Sequence, residues 1–491
     1  MTDAPTASAP PHDTSPPPRL SLGTRLAYGL GNGAIGVKDN GFSYFLLIFY
    51  SQVVGLDARL VGLALTIALV SDAFIDPMVG YWSDNMRSRW GRRHPFIYAA
   101  IIPLVSLYFM LWNPPHGWPQ SWLFAYLLGM AIVIRICISF YEIPGNALGP
   151  ELTENYDERS ALFSFRSYFA WTVGNTMSVL MFVVIFPLFA TAAIQNGQFN
   201  PDSYRVYGLI GSVVLLICML GSALGTHSHI PRLKAPPPAR SLTISKIFKE
   251  IIETLSNRSF LALFISTAFG SIAAGLSASL AFYWLTYFWK FPAQLSGYIT
   301  LGVFISAILG AALAPVVSRK FGKKRGAIMI GLIAFLGSPM PIVLRLTGIL
   351  PDNGSPVIFW IVFLNTVFDT ALIICFQALS ASMMADLVEQ SELKTGRRSE
   401  GVFASAITFT TKLVNGIGLM LASFVITLAG IKTGADSAHV TPEALFRLGA
   451  IYVPTIIGLW MTMLLVMSFY TISRDSHAAT LKTLAERRAA G

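Results

Sequence analysis

The sequence predicts an all-α membrane protein of twelve transmembrane helices, arranged as two six-helix halves with both termini in the cytoplasm. Three observations carry this prediction. Of 491 residues, 54% are hydrophobic and only 12% charged, whereas a soluble domain carries roughly 25% charged residues. So few charges cannot cover a water-facing surface, and the mean hydropathy of +0.60 agrees. Apolar runs of crossing length, about 20 residues, recur along the chain, and the basic residues gather in alternate loops.

Taken in order, the runs fall near residues 28–50, 59–82, 95–113, 120–146, 161–190 and 204–226, making a first half over residues 23–226. A second half over residues 260–473 holds runs near 294–317, 326–346, 356–383, 402–430 and 447–472, after an opening run at 260–289. The polar connection 227–259 contains KAPPPAR and then LTISKIFKEIIETL, an amphipathic stretch suited to a short helix lying in the cytoplasmic interface. Residues 1–22 are rich in Pro, Ser and Thr. They lack the basic start and apolar core of a signal peptide and read as a disordered tail. Residues 474–491 read as a second cytoplasmic tail.

Loop charge sets the orientation. Most of the 35 Lys and Arg residues lie in the tails and the even-to-odd loops, including Arg87, Arg89, Arg92, Arg93 and the run from Arg319 to Arg325. Positive charge concentrates on the cytoplasmic side. The net charge of +10 thus has an explanation that needs no nucleic acid. Cys137, Cys218 and Cys375 stand apart in apolar runs with no CxxC, so neither a disulfide scaffold, a zinc site nor a cofactor is expected.

The halves echo each other. GYWSDNMRSRWGRR leaves the second run and APVVSRKFGKKRG leaves the eighth; ALGPELTENYDER follows the fourth and SMMADLVEQSELK the tenth. Duplicated halves of common orientation are one transporter plan, with the substrate site between them near the bilayer midplane.

Ionisable residues inside the runs are costly and mark function: Lys38, Asp39, Asp72, Asp76, Arg135, Glu142, Arg166, Asp369 and Lys412. Asp72 and Asp76 are spaced i, i+4 and share a helix face. Two close carboxylates in a low dielectric invite a proton on one of them or a cation between them; the plainer alternative is pairing with Lys38, Arg166 or Lys412. Neighbours on a helix point about 100° apart, so Lys38 and Asp39 are expected to serve different partners, Asp39 either substrate or a structural pair. Arg135 and Glu142 lie seven residues apart on one face, where an intramembrane ion pair is expected. Asp369 has no surrounding motif. Beyond the second run, Gly80 and Gly91 suit close packing and turning, and Asp84 with Arg92 and Arg93 suggests a charged latch or gate at the cytoplasmic exit. Simple anchoring explains the arginines but neither Asp84 nor the glycines.

The segments DAFIDPMVGYWSDNMRSRWGRRHP, YGLGNGAIGVKDNGFSYFLLIFYSQVVGL and ELKTGRRSEG resemble those of the glycoside–pentoside–hexuronide:cation symporters. These form the melibiose-permease branch of the major facilitator superfamily, and the resemblance spans roughly residues 25–473. It implies that Asp72 and Asp76 bind the coupling cation, Na⁺ or H⁺, with Ser139 assisting and Lys412 nearby. It implies sugar contacts from Asp39 beside Lys38, from Glu142 in YEIPGNAL, and from Arg166 in FSFRSYFAW. The sequence also departs from that pattern. Ile75 replaces an amide before the second aspartate, which removes an oxygen that sodium would use and favours a proton. Asn146 and Gln377 stand where the family places aromatics that stack on sugar.

The expected function is cation-coupled symport of a sugar or glycoside across the plasma membrane by alternating access. A lysolipid or other amphipathic solute is the alternative, since the same branch includes lysophospholipid carriers. Intramembrane prenyltransferases also carry DxxxD, but they need a second such motif, and no other span here holds one.

Overall fold

The computed structural model describes residues 20–153, 155–232, 258–395, 400–432, 434 and 440–472, with residues 480, 483 and 486. Most of the N-terminal tail, the amphipathic stretch 242–255, residues 396–399 of the third family-like segment and nearly all of 474–491 lie outside the described residues. Among those described, the chain is helical with no strand.

Twelve main helices follow in order among the described residues, with the short helices Leu46–Ile48, Phe186–Leu188 and Met340–Leu346 beside them. The main helices are α1 Leu22–Asn40, α2 Ala58–Asn85, α3 His94–Leu111, α4 Gln120–Leu152, α5 Tyr156–Leu180 and α6 Pro201–His227, then α7 Arg258–Tyr283, α8 Ala293–Phe321, α9 Lys323–Gly337, α10 Pro356–Thr395, α11 Glu400–Ala429 and α12 Pro442–Met467. Among the described residues eleven spans are long and apolar enough to cross a bilayer, α9 only together with the short helix Met340–Leu346 that follows it. The first helix, α1, is more polar and gains its length by continuing through π-turns Gly41–Phe45 and Phe49–Val54. Helices α5 and α7 end likewise, in Met181–Ile185 and Trp284–Phe288. These widened turns lie at the end opposite the basic loops, and π-turns of this kind concentrate at functional sites.

Helix α1 docks on α5 at glycines. A Cβ on Gly36 would collide with the Ala170 backbone, and one on Gly174 would meet Gly36 O at 2.6 Å. Backbones that approach this closely are the usual solution where lipid supplies no hydrophobic drive between helices. The halves meet along α2 and α11, where Thr66 Oγ1 donates to Gly416 O at 2.8 Å and Gly62 faces Ser423. At the end away from the basic loops, an aromatic cluster closes the seam. Phe282 of α7 lies 4.6 Å, centroid to centroid, from both Phe45 and Phe182 of the first half.

The echoed loops form matching ion pairs. Arg92 donates to Glu151 at 2.7 Å and Arg93 to Glu151 at 3.0 Å in the first half, while Lys323 donates to Asp386 at 2.6 Å in the second. Both join the even-to-odd loop to the end of the helix two further on. Arg93 also reaches Asp84 at 2.6 Å and Ser83 at 2.6 Å. Ion pairs therefore link Asp84, Arg92 and Arg93 through Glu151, a member that sequence reasoning missed, and tie α2, α3 and α4 within one half. Gly91 takes a left-handed φ of 71°, the turning role expected of it. Gly80 does not serve close packing: a Cβ there would meet only Ile143, at an ordinary 3.7 Å.

Candidate functional site

Helices α2 and α4 run side by side in the same direction, so equal steps along each meet. Arg135 Nη1 donates to Asp72 Oδ2 at 2.6 Å, and four residues on, Ser139 Oγ donates to Asp76 Oδ1 at 2.5 Å. Lys412 of α11 completes the cluster from the other half, 2.5 Å from Asp76 Oδ2 and 3.9 Å from Asp72 Oδ2. Asp72 is 2% exposed, and its Oδ1 is buried with no hydrogen-bond partner. The Arg135 guanidinium also lies over the Phe42 ring, 5.2 Å from its centroid. Pro77, inside α2, follows Asp76 directly and cannot donate to the preceding turn, which leaves the helix free to bend beside the acids.

Two expectations about pairing are overturned here. Arg135 pairs with Asp72, not with Glu142, because the parallel register of α2 and α4 places a buried acid directly beside it. Lys38 and Asp39 do pair with each other, Nζ to Oδ1 at 2.5 Å. The 100° argument concerns Cβ directions, and a four-carbon lysine stem is long enough to fold back to its neighbour. Lys38 is buried, while the Asp39 side chain is 58% exposed and faces a cavity.

That cavity has two chambers. The polar one, about 490 Å³, is lined by Lys38, Asp39, Asp72, Arg135, Glu142 and Lys412 among others. The larger, about 710 Å³, reaches into the second half, and its walls include Trp171, Trp284, Asp369, Gln377, Tyr452 and Trp460. Asp39, Asn40 and Tyr44 border both, so Asp39 stands at the junction. Glu142 makes no ion pair among the described residues. Gln377 is exposed on the wall of the larger chamber. Arg166 and Asn146 line neither chamber. Arg166 is instead buried against α1, donating to Tyr28 Oη at 3.1 Å with its guanidinium 5.0 Å above that ring. This placement also removes Arg166 and Lys38 as partners of the α2 acids. The aromatic walls were invisible to sequence reasoning, because tryptophans in an apolar run read as core or lipid face.

Volumes of this size suit a small solute, and two six-helix halves enclosing a cavity that aromatic rings close at one end define a membrane transporter. The crystal structure of a D-xylose-proton symporter has the same fold, with a TM-score of 0.62 at 16% identity over 91% of this chain and 97% of that one. The chain belongs to the MFS/sugar transport protein family, which it matches over residues 27–474. It is a multi-pass plasma-membrane transporter of the major facilitator fold and not an enzyme. A glucuronide carrier protein homolog of Escherichia coli (strain K12) is 26% identical over 93% of each chain. A sphingosine-1-phosphate transporter of Mus musculus is 26% identical over 85% of this chain and 83% of its own.

Proposed function

We propose that this chain is a proton-coupled symporter of a sugar or glycoside working by alternating access, with Asp76 as the coupling carboxylate. The observation that carries the reading is Lys412 of the second half held at 2.5 Å by Asp76 of the first. A fixed cation occupies the place a mobile one would take, so a proton on Asp76 releases Lys412 and loosens the α2–α11 seam. The charges lining the cluster and polar chamber leave room for one positive ion. Four carboxylates (Asp39, Asp72, Asp76 and Glu142) face three cations (Lys38, Arg135 and Lys412).

The same geometry favours H⁺ over Na⁺. Sodium wants several hard oxygens, yet Arg135 engages Asp72, while Lys412 and Ser139 engage Asp76, and Ile75 offers no amide. A proton needs only one carboxylate. In this scheme solute enters at Asp39 and Glu142, with Gln377 opposite. Reciprocity requires solute and proton to raise each other's affinity by the same factor. Arg166 positions α1 through Tyr28 and acts on the solute only indirectly, and Asn146 acts from outside both chambers.

A second reading, an amphipathic lipid solute, draws on the mouse relative and on the apolar wall of the larger chamber. Proteoliposomes loaded with defined H⁺ or Na⁺ gradients separate the two. The expected result is counterflow of a glucuronide or pentoside, with H⁺-driven accumulation lost in Asp76→Asn while exchange persists. Unchanged uphill uptake in that variant contradicts the reading, and counterflow of lysolipid alone replaces it with the second.

A further inference from the structure

Of the ionisable residues singled out within the runs, Asp369 alone is left unused by the scheme above. It sits on α10 in the wall of the larger chamber, and its Oδ1 is buried without a hydrogen-bond partner. The carboxyl is within hydrogen-bonding reach of the Ser338 hydroxyl, which brings no charge. Among the described residues lining that chamber there is no Lys, Arg or His, and the only other acid, Asp39, already has Lys38 at 2.5 Å. A carboxylate in a membrane interior with no positive partner is a standing cost, and residues of this kind mark a ligand or ion path. Around it the chamber is walled by aromatic faces. Trp284 and Tyr452 pack together at 4.9 Å, and Trp460 stacks on Phe335 at 4.0 Å. The Trp284 indole Nε1 is likewise buried without a partner. An unpaired acid among aromatic rings is the chemistry that receives an organic ammonium, through charge on one side and ring quadrupoles on the other.

We infer that the Asp369 chamber is a subsite for an ammonium-bearing end of the transported solute, whose hydroxylated body lies at Asp39 and Glu142. The inference rests on the sugar-symport reading and narrows it: the solute is an amino sugar or an amine-bearing glycoside. Asp369 supplies the counter-charge, while Trp284 and Tyr452 supply the ring faces. The polar chamber then holds hydroxyl groups and the larger one holds the cation.

The test uses the full-length protein in detergent, with binding of matched pairs followed by tryptophan fluorescence: glucosamine against glucose, galactosamine against galactose, and choline as a bare ammonium. In the parent protein the amine member of a pair is expected to bind at least about tenfold more tightly. In Asp369→Asn that advantage disappears while the neutral sugar keeps its affinity. Trp284→Leu gives a second variant, expected to weaken choline and amino sugars together. Equal affinities within each pair, or an amine preference unchanged by Asp369→Asn, overturn the subsite and leave the sugar reading standing. Binding of choline that depends on Asp369, with no sugar bound at all, supports the subsite and overturns the sugar reading. No binding of any probe counts against both.

Discussion

Replacing Arg135 with methionine leaves Asp72 as a buried charge that has lost its closest partner. The pair is 2.6 Å long, both side chains are buried, and Asp72 Oδ1 already lacks a hydrogen bond. Removing one member of such a pair costs about 3–5 kcal/mol, because the survivor keeps its desolvation penalty without the attraction. Lys412 stands 3.9 Å from the same oxygen and can move closer, so we place the loss near the lower limit, about 3 kcal/mol. Removing both charges, as Arg135→Met with Asp72→Leu, takes away the penalty along with the attraction and is expected to recover most of the stability. The assay is thermal unfolding in detergent followed by tryptophan emission, with the two single variants and the double variant compared as a cycle. A single variant as stable as the parent, or a double variant no better than the singles, refutes the assignment of Arg135 to Asp72.

Other consequences follow from the same contacts. Lys412→Gln removes the cross-half tie to Asp76, and the variant should let solute equilibrate across proteoliposomes without accumulating it against a gradient. Glu151→Gln disconnects Arg92 and Arg93, charged hydrogen bonds worth about 2 kcal/mol in partly buried settings. It should lower the unfolding temperature, and Asp386→Asn should do so through the corresponding contact with Lys323. Gly36→Ala forces a methyl into the Ala170 backbone and should abolish folded expression, whereas Gly80→Ala meets only Ile143 at 3.7 Å and should express and transport like the parent.

The helices were legible because each crossing needs a long apolar run, and composition records such runs directly. Their ends were less so. Helix α10 continues to Thr395, well past the apolar run ending near 383, because a helix can extend into the polar region without further hydropathy signal. The duplicated loops were readable as sequence, and their matching ion pairs follow from that duplication. Partner choice among the buried charges was not readable. Asp72 and Arg135 are 63 residues apart, and only the parallel contact of α2 with α4 brings them together; in hindsight, the shared four-residue step from 72 to 76 and from 135 to 139 was the available signal. The Lys38–Asp39 pair escaped because backbone direction says little about where a flexible ammonium ends. The chamber around Asp369 escaped for a different reason. Trp284, Tyr452 and Trp460 come from two helices far apart in sequence, and nothing local distinguishes a tryptophan that lines a cavity from one that faces lipid.

The most direct measurement follows protons rather than solute. Proteoliposomes in weakly buffered medium are given solute with no imposed ion gradient, and external pH is recorded beside solute uptake. With Asp76 exchanging a proton for Lys412, the medium should become alkaline as solute enters, at about one proton per solute, the single positive charge that the carboxylate cluster lacks. Asp76→Asn should take up solute with no pH change. Solute entry at constant external pH in the parent protein would contradict the account.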